Sequence, residues 1–99
     1  MLFLCYNLFG GNMKIIKIGA MWCPACLITN KYLDQIVQKY NIEIENLDYD
    51  FDEEEVKKYN VGETLPVLIF IKNDIEVDRL IGEKNYKDIE GVINKHEEV

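Results

Sequence analysis

Trp22-Cys23-Pro24-Ala25-Cys26 sets two thiols three residues apart, directly behind an apolar run that ends Ile18-Gly19-Ala20-Met21. A strand feeding a helix at this point puts both sulfurs in the helix's first turn. There the unpaired backbone N–H groups and the positive end of the helix dipole favour a thiolate. Pro24 falls at the first helical position, where its missing N–H costs nothing. The chemistry expected is thiol–disulfide exchange. Cys23 attacks a disulfide to give a mixed disulfide, and Cys26, one turn further in and more buried, attacks that bond and releases the reduced product.

Other uses of the pair fit less well. A zinc site needs two further ligands, and only Cys5 and His96 remain, with no second Cys-x-x-Cys and no His-x-x-x-His. A structural staple is a poor use of so short a ring, which is strained and reducible. No metal and no cofactor are expected. Cys5 reads as an incidental thiol and His96 as a solvated residue near the C-terminus. The acidic run Asp48 to Glu55 reads as a solvated helix start, because it lacks the glycine and ligand spacing of a calcium loop.

The elements that must position the thiols follow from hydrophobic periodicity. Lys14 to Gly19 is β-branched and reads as a central strand. Cys23 to about Tyr40 is a helix, with Cys26, Leu33, Ile36, Val37 and Tyr40 inward and Asn30, Lys31, Asp34, Gln35 and Gln38 toward water. Ile42 to Tyr49 is the next strand. Asp50 to Tyr59 is a short helix with acids first and lysines last, as the helix dipole prefers. Val67 to Lys72 and Ile75 to Ile81 form an antiparallel hairpin about Asn73-Asp74. Gly82 ends it, and Tyr86, Ile89, Val92 and Ile93 mark a C-terminal helix. The order β-α-β-α-β-β-α implies an α/β fold: a four-stranded mixed sheet with helices on both faces, its parallel strands joined by right-handed crossovers and flanked by an antiparallel edge.

Ninety-nine residues make one core. Eighteen acids against eleven Lys plus Arg leave a formal charge of -7. That balance argues against nucleic acid and anionic membrane surfaces as partners, and favours basic or neutral proteins at the encounter stage. No apolar segment is long enough to span a bilayer. Residues 1–12 read as a separate arm or an extra edge strand, with the domain proper at 13–99. Their apolar residues have neither a basic n-region nor a small-residue cleavage site, so a signal peptide is not expected. The expected setting is cytoplasmic and the expected state monomeric.

Taken together, Trp22-Cys-x-x-Cys after the first strand, Tyr59 and Val61 approaching Thr64-Leu65-Pro66, the hairpin and Gly82 resemble the thioredoxin superfamily, from Met13 to the C-terminus. The resemblance implies a thioredoxin-like thiol–disulfide oxidoreductase that acts on disulfide-containing proteins and takes electrons from a thioredoxin-reductase-type donor. It implies a cis Pro66 lying against the dithiol, with the backbone of Leu65 offered to an extended substrate peptide. A proline at a strand's first residue also spares the ladder a missing donor. Trp22 is either packing or, with Met21, part of an apolar rim. The competing class is a non-catalytic electron relay or redox switch dedicated to one partner. A third use of the thiols is carriage of a metal.

The chain also departs from the family. Thioredoxins proper begin with an extra strand and helix, which twelve residues cannot hold, so the fold is closer to the compact, glutaredoxin-sized form. Pro24-Ala25 stands where thioredoxins carry Gly-Pro. Lys17 stands six residues before the first cysteine, where thioredoxins place a buried acid. Strand alternation points Lys17 inward beneath the dithiol, and an unpaired buried ammonium is costly. Asp48 on the neighbouring strand is the expected partner, with Glu45 alternating to the other side. Such a pair would tune the Cys26 thiol. The other reading is that Lys17 snorkels to water.

Overall fold

The computed structural model describes residues 13–97. Expectations for residues 1–12, Cys5 included, lie outside the described residues. The elements are β1 (Met13–Gly19), α1 (Pro24–Lys39), β2 (Glu43–Asp48), α2 (Glu53–Lys57), β3 (Val67–Lys72), β4 (Ile75–Ile81) and α3 (Tyr86–Glu97). This is the order read from the sequence. The second helix is shorter than expected. Asp50 and Phe51 stay in a turn, because the Asp48 carboxylate accepts their backbone N–H groups at 2.8 and 3.0 Å. The Asp52 carboxylate accepts the N–H of Asp48 at 2.7 Å. Short acidic side chains that bond nearby backbone compete with helix in this way.

The sheet order is β2-β1-β3-β4. Only β1 and β2 are parallel; β3 runs antiparallel to β1 as well as to β4. The antiparallel character therefore reaches the centre of the sheet instead of stopping at its edge. β3 enters beside the end of β1, with Val67 opposite Ile18.

Alternation divides the core between the two faces. Met13, Ile15, Leu68 and Phe70 pack under Leu33 and Ile36 of α1 and Ile89 and Ile93 of α3. Ile16, Ile18, Leu47, Val67 and Ile69 pack under Val56 of α2. Both faces of β1 and β3 are covered, so these strands read as near-continuous apolar runs. Within β4 the register slips where Phe70 pairs with Asp78 but Ile71 pairs with Glu76. That irregularity breaks the expected alternation, and Val77 and Leu80 both meet the same core.

Three details differ from the helix faces read in the sequence. Val37 is exposed, Thr29 is buried, and Asn30 is half-buried. His96 is not a free surface residue. Its Nε2 lies 3.0 Å from an Asp78 carboxylate oxygen, and its carbonyl accepts the Lys72 ammonium at 2.6 Å. Burial opposes charge on Asp78, but the bonds from His96 and the Arg79 backbone outweigh it and hold the carboxyl below its ordinary range. These contacts fix α3 to the hairpin and with it the outer side of the α1 face.

Candidate active site

β1 ends, α1 begins and β3 starts at one end of the sheet. Cys23 is the N-cap of α1, with extended backbone (φ -104°, ψ 106°), and Pro24 follows at the helix start. Its sulfur accepts the N–H of Cys26 at 3.2 Å, the role an Asp or Ser oxygen plays in other helices. The Cys23 N–H in turn donates to the carbonyl of Ala20 at 3.2 Å, closing the tight turn out of β1. The two cysteines are joined as a disulfide, with Cα atoms 5.3 Å apart. Cys23 is 6% exposed and Cys26 1%, so Cys23 is the more accessible sulfur.

Gly19 makes this geometry possible. A Cβ there would stand 3.1 Å from Cys26 Sγ, 3.2 Å from Cys26 Cβ and 3.2 Å from Lys17 Cε. Glycine lets the helix start press the sulfur against β1 without Cys26 or Lys17 having to give by a few tenths of an ångström. On the other side, Leu65 packs against Ala20, Cys23 and Cys26. The Leu65–Pro66 bond is cis. Pro66 is buried, and its carbonyl accepts the N–H of Gly82 at 2.8 Å. Gly82 has φ +89°, a conformation that suits glycine.

Trp22 is 62% exposed, which resolves its two readings in favour of the rim. Its indole N–H donates to Asp50 Oδ2 at 2.7 Å. Met21, Leu27 and Phe51 are also exposed large apolar residues of this region. The composition of Asp50 and Phe51 suggests helix, and no local pattern couples them to Trp22. The contact exists only once β2 has returned alongside β1.

Lys17 does lie inside, at 7% exposure, so it does not snorkel to water. Its expected partner is corrected. Asn46 sits opposite Lys17 in the β1/β2 register, while Asp48 sits opposite Gly19. The Asp48 carboxylate is turned to the backbone of the Asp50 turn. Lys17 Nζ instead donates to Asn30 Oδ1 at 2.6 Å. Asn30 is four residues after Cys26, one turn along the same helix face; that spacing was the available signal. Burial pushes the Lys17 ammonium below its ordinary pKa of 10.5.

Two outcomes follow from these contacts. Gly19→Ala must displace Cys26 or Lys17, and should destabilise the oxidised protein by about 1–3 kcal/mol, as overpacking does. Denaturant unfolding of oxidised and reduced forms checks this, with the larger loss in the oxidised form, where Sγ is tethered. Lys17→Met should unfold at higher denaturant than the parent at pH 7, because it removes a desolvated charge. The folded pKa of Lys17 is depressed, so its cost is present below that pKa and is relieved as pH rises toward 10.5. The advantage of the variant should shrink over that range.

The sequence model of the Thioredoxin family matches residues 11–95. The chain is 33% identical over 81 residues to thioredoxin H5 of Oryza sativa subsp. japonica, covering 81% of this chain and 58% of that protein. It is 31% identical over 87 residues to an H-type thioredoxin of Oryza sativa subsp. indica, covering 87% and 70%. The chain thus spans under two thirds of the length of the first of these relatives. Among solved structures it superposes on the thioredoxin of Fasciola hepatica with a TM-score of 0.79 and 28% identity, covering 96% of this chain and 90% of that one. With the disulfide-paired Cys23 and Cys26 at a helix start and Leu65 packed against them, these likenesses identify the chain as a member of the thioredoxin family.

Proposed function

We propose that this chain reduces disulfides in other proteins within the cytoplasm, as a monomer, and is recharged by a thioredoxin-reductase-type donor. The observation that carries the reading is the setting of Cys23. It is the N-cap of α1, bordered by Leu65 and by a rim that includes Trp22. An extended segment laid along Leu65 and Pro66 brings its disulfide to the helix N-terminus, with Trp22 and Met21 as apolar contacts. The absence of a histidine between the cysteines fits a reducing role.

In the forward direction the Cys23 thiolate attacks one sulfur of the substrate disulfide. That bond breaks, and the departing sulfur leaves as a thiolate that takes a proton from water. Cys26 then attacks Cys23 Sγ, the mixed disulfide breaks, and the second substrate thiol is released. Two electrons have passed to the substrate, and the Cys23–Cys26 disulfide is what the reductase must reduce.

Insulin reduction with dithiothreitol as electron source tests the proposal. Turnover should be catalytic in protein, and Cys23→Ser should lower it by about three orders of magnitude, as loss of a nucleophile does. Cys26→Ser should accumulate a mixed disulfide at Cys23, seen by intact mass. No turnover on insulin by a folded, reducible protein would favour a relay or switch dedicated to one partner.

A further inference from the structure

Between β1, β2 and the start of α1 a cleft reaches the less accessible member of the pair. Its walls include Lys17, Gly19, Cys26, Asn30, Asn46 and Asp48. Lys17 Cε and Cys26 Sγ stand 3.2 and 3.1 Å from one shared point, the place a Cβ on Gly19 would occupy. The carbon bearing the amine and the sulfur thus both border the space beside Gly19. The amine is fixed there by Asn30, a neutral acceptor. Among the described residues no carboxylate lies within ion-pair distance of it: the recorded pairs engage Lys14, Lys39, Lys58, Arg79, Lys95 and His96.

Each element packed around Cys26 brings a different charge. From β1 comes Lys17, and from α1 comes Asn30, which is uncharged. From β2 and the turn after it come Asp48 and Asp52, which also line the cleft, and Tyr49, which packs on the cysteine cluster. Leu65 from the loop before β3 is apolar. Both carboxylates accept backbone N–H groups of their own turn. Among the described residues Lys17 is the one cation lining the cleft, and it makes no ion pair with Asp48 or Asp52, the carboxylates that share it.

We propose that Lys17 is the counter-charge of the Cys26 thiolate, a positioning residue that eases deprotonation of the resolving thiol. This rests on the reading of Cys23 as the attacking thiol and Cys26 as the resolving one. In the mixed disulfide, Cys26 gives its proton to water in the cleft and the resulting thiolate faces the Lys17 ammonium. It attacks Cys23 Sγ, forming the Cys23–Cys26 bond. The bond from Cys23 to the substrate sulfur breaks, and that sulfur leaves with the electron pair and takes a proton from water. Lys17 keeps its charge throughout. Burial opposes that charge, and pushes the ammonium's pKa down. The site therefore holds a charge that the fold alone would be better without.

An opposite charge close to a thiol moves its pKa by about one unit. Removing it cuts the thiolate fraction about tenfold at neutral pH. The more basic sulfur regains about threefold in nucleophilicity, so resolution should slow by roughly threefold. The experiment follows reduced full-length protein reacting with a disulfide-bonded peptide from pH 6 to 9.5, quenched with acid and read by mass. It separates formation of the Cys23 mixed disulfide from its resolution. In Lys17→Met, formation should be unchanged and the midpoint of the resolution profile should rise by about one unit. Asn30→Asp keeps the volume of the site but neutralises the ammonium, and should shift the midpoint the same way. Lys17→Arg should retain the parent's midpoint. Unchanged midpoints in both Lys17→Met and Asn30→Asp would overturn the proposal and leave Lys17 as packing. A mixed disulfide carried by Cys26 in the parent protein would overturn the order of attack beneath it.

Discussion

The sulfur of Cys23 occupies the position at which a helix ordinarily takes an oxygen. As N-cap it accepts the N–H of Cys26, and as the first residue of the motif it sits at the positive end of α1. Much else in the site follows from that placement. The turn Ala20-Met21-Trp22 must be tight enough to bring the chain from β1 to α1, which sends Met21 and Trp22 outward. Cys26, on the inner side of the first turn, is pressed against β1. Gly19 is the residue that accepts it. β3 begins at the same end of the sheet, which brings Leu65 against the two cysteines.

The fold was largely legible because its signals are local. Alternating and continuous apolar runs, Pro24 at a helix start, Asn73-Asp74 with positive φ at both residues and Gly82 each state their own conformation. The motif Cys23-x-x-Cys26 was legible for the same reason: its chemistry depends on its own turn. What was not legible depended on register and on competition between side chains. The direction of β3 is a matter of its pairing with β1, which no local pattern states, and a run of acids hides where α2 starts. Alternation offers Lys17 the facing residues Ile44, Asn46 and Asp48 without fixing the register, and the register sets Asn46, not the acid, opposite it. Asn30 was read as solvent-facing by residue type, yet its spacing from Cys26 already put it on the inner face.

Lys17 shows how stability and chemistry pull apart at this site. A buried amine held by one neutral acceptor is a poor structural choice, and a methionine of similar length would pack as well without the desolvation cost. Sites that keep such a group against stability are often those that use it. The acidic turn Asp48–Asp52 has the opposite character. Its carboxylates satisfy backbone N–H groups and, through Asp50, hold the indole of Trp22, so much of their charge is directed to order in the rim.

Reactivity at Cys23 follows from its place at the N-terminus of α1. Alkylation of the reduced protein by iodoacetamide as a function of pH, resolved by peptide mass, tests it most directly. Cys23 should label first, with a midpoint below the value of about 8.5 for a free thiol, while Cys26 labels slowly. Faster labelling at Cys26, or a Cys23 midpoint at or above that of a free thiol, would contradict the account.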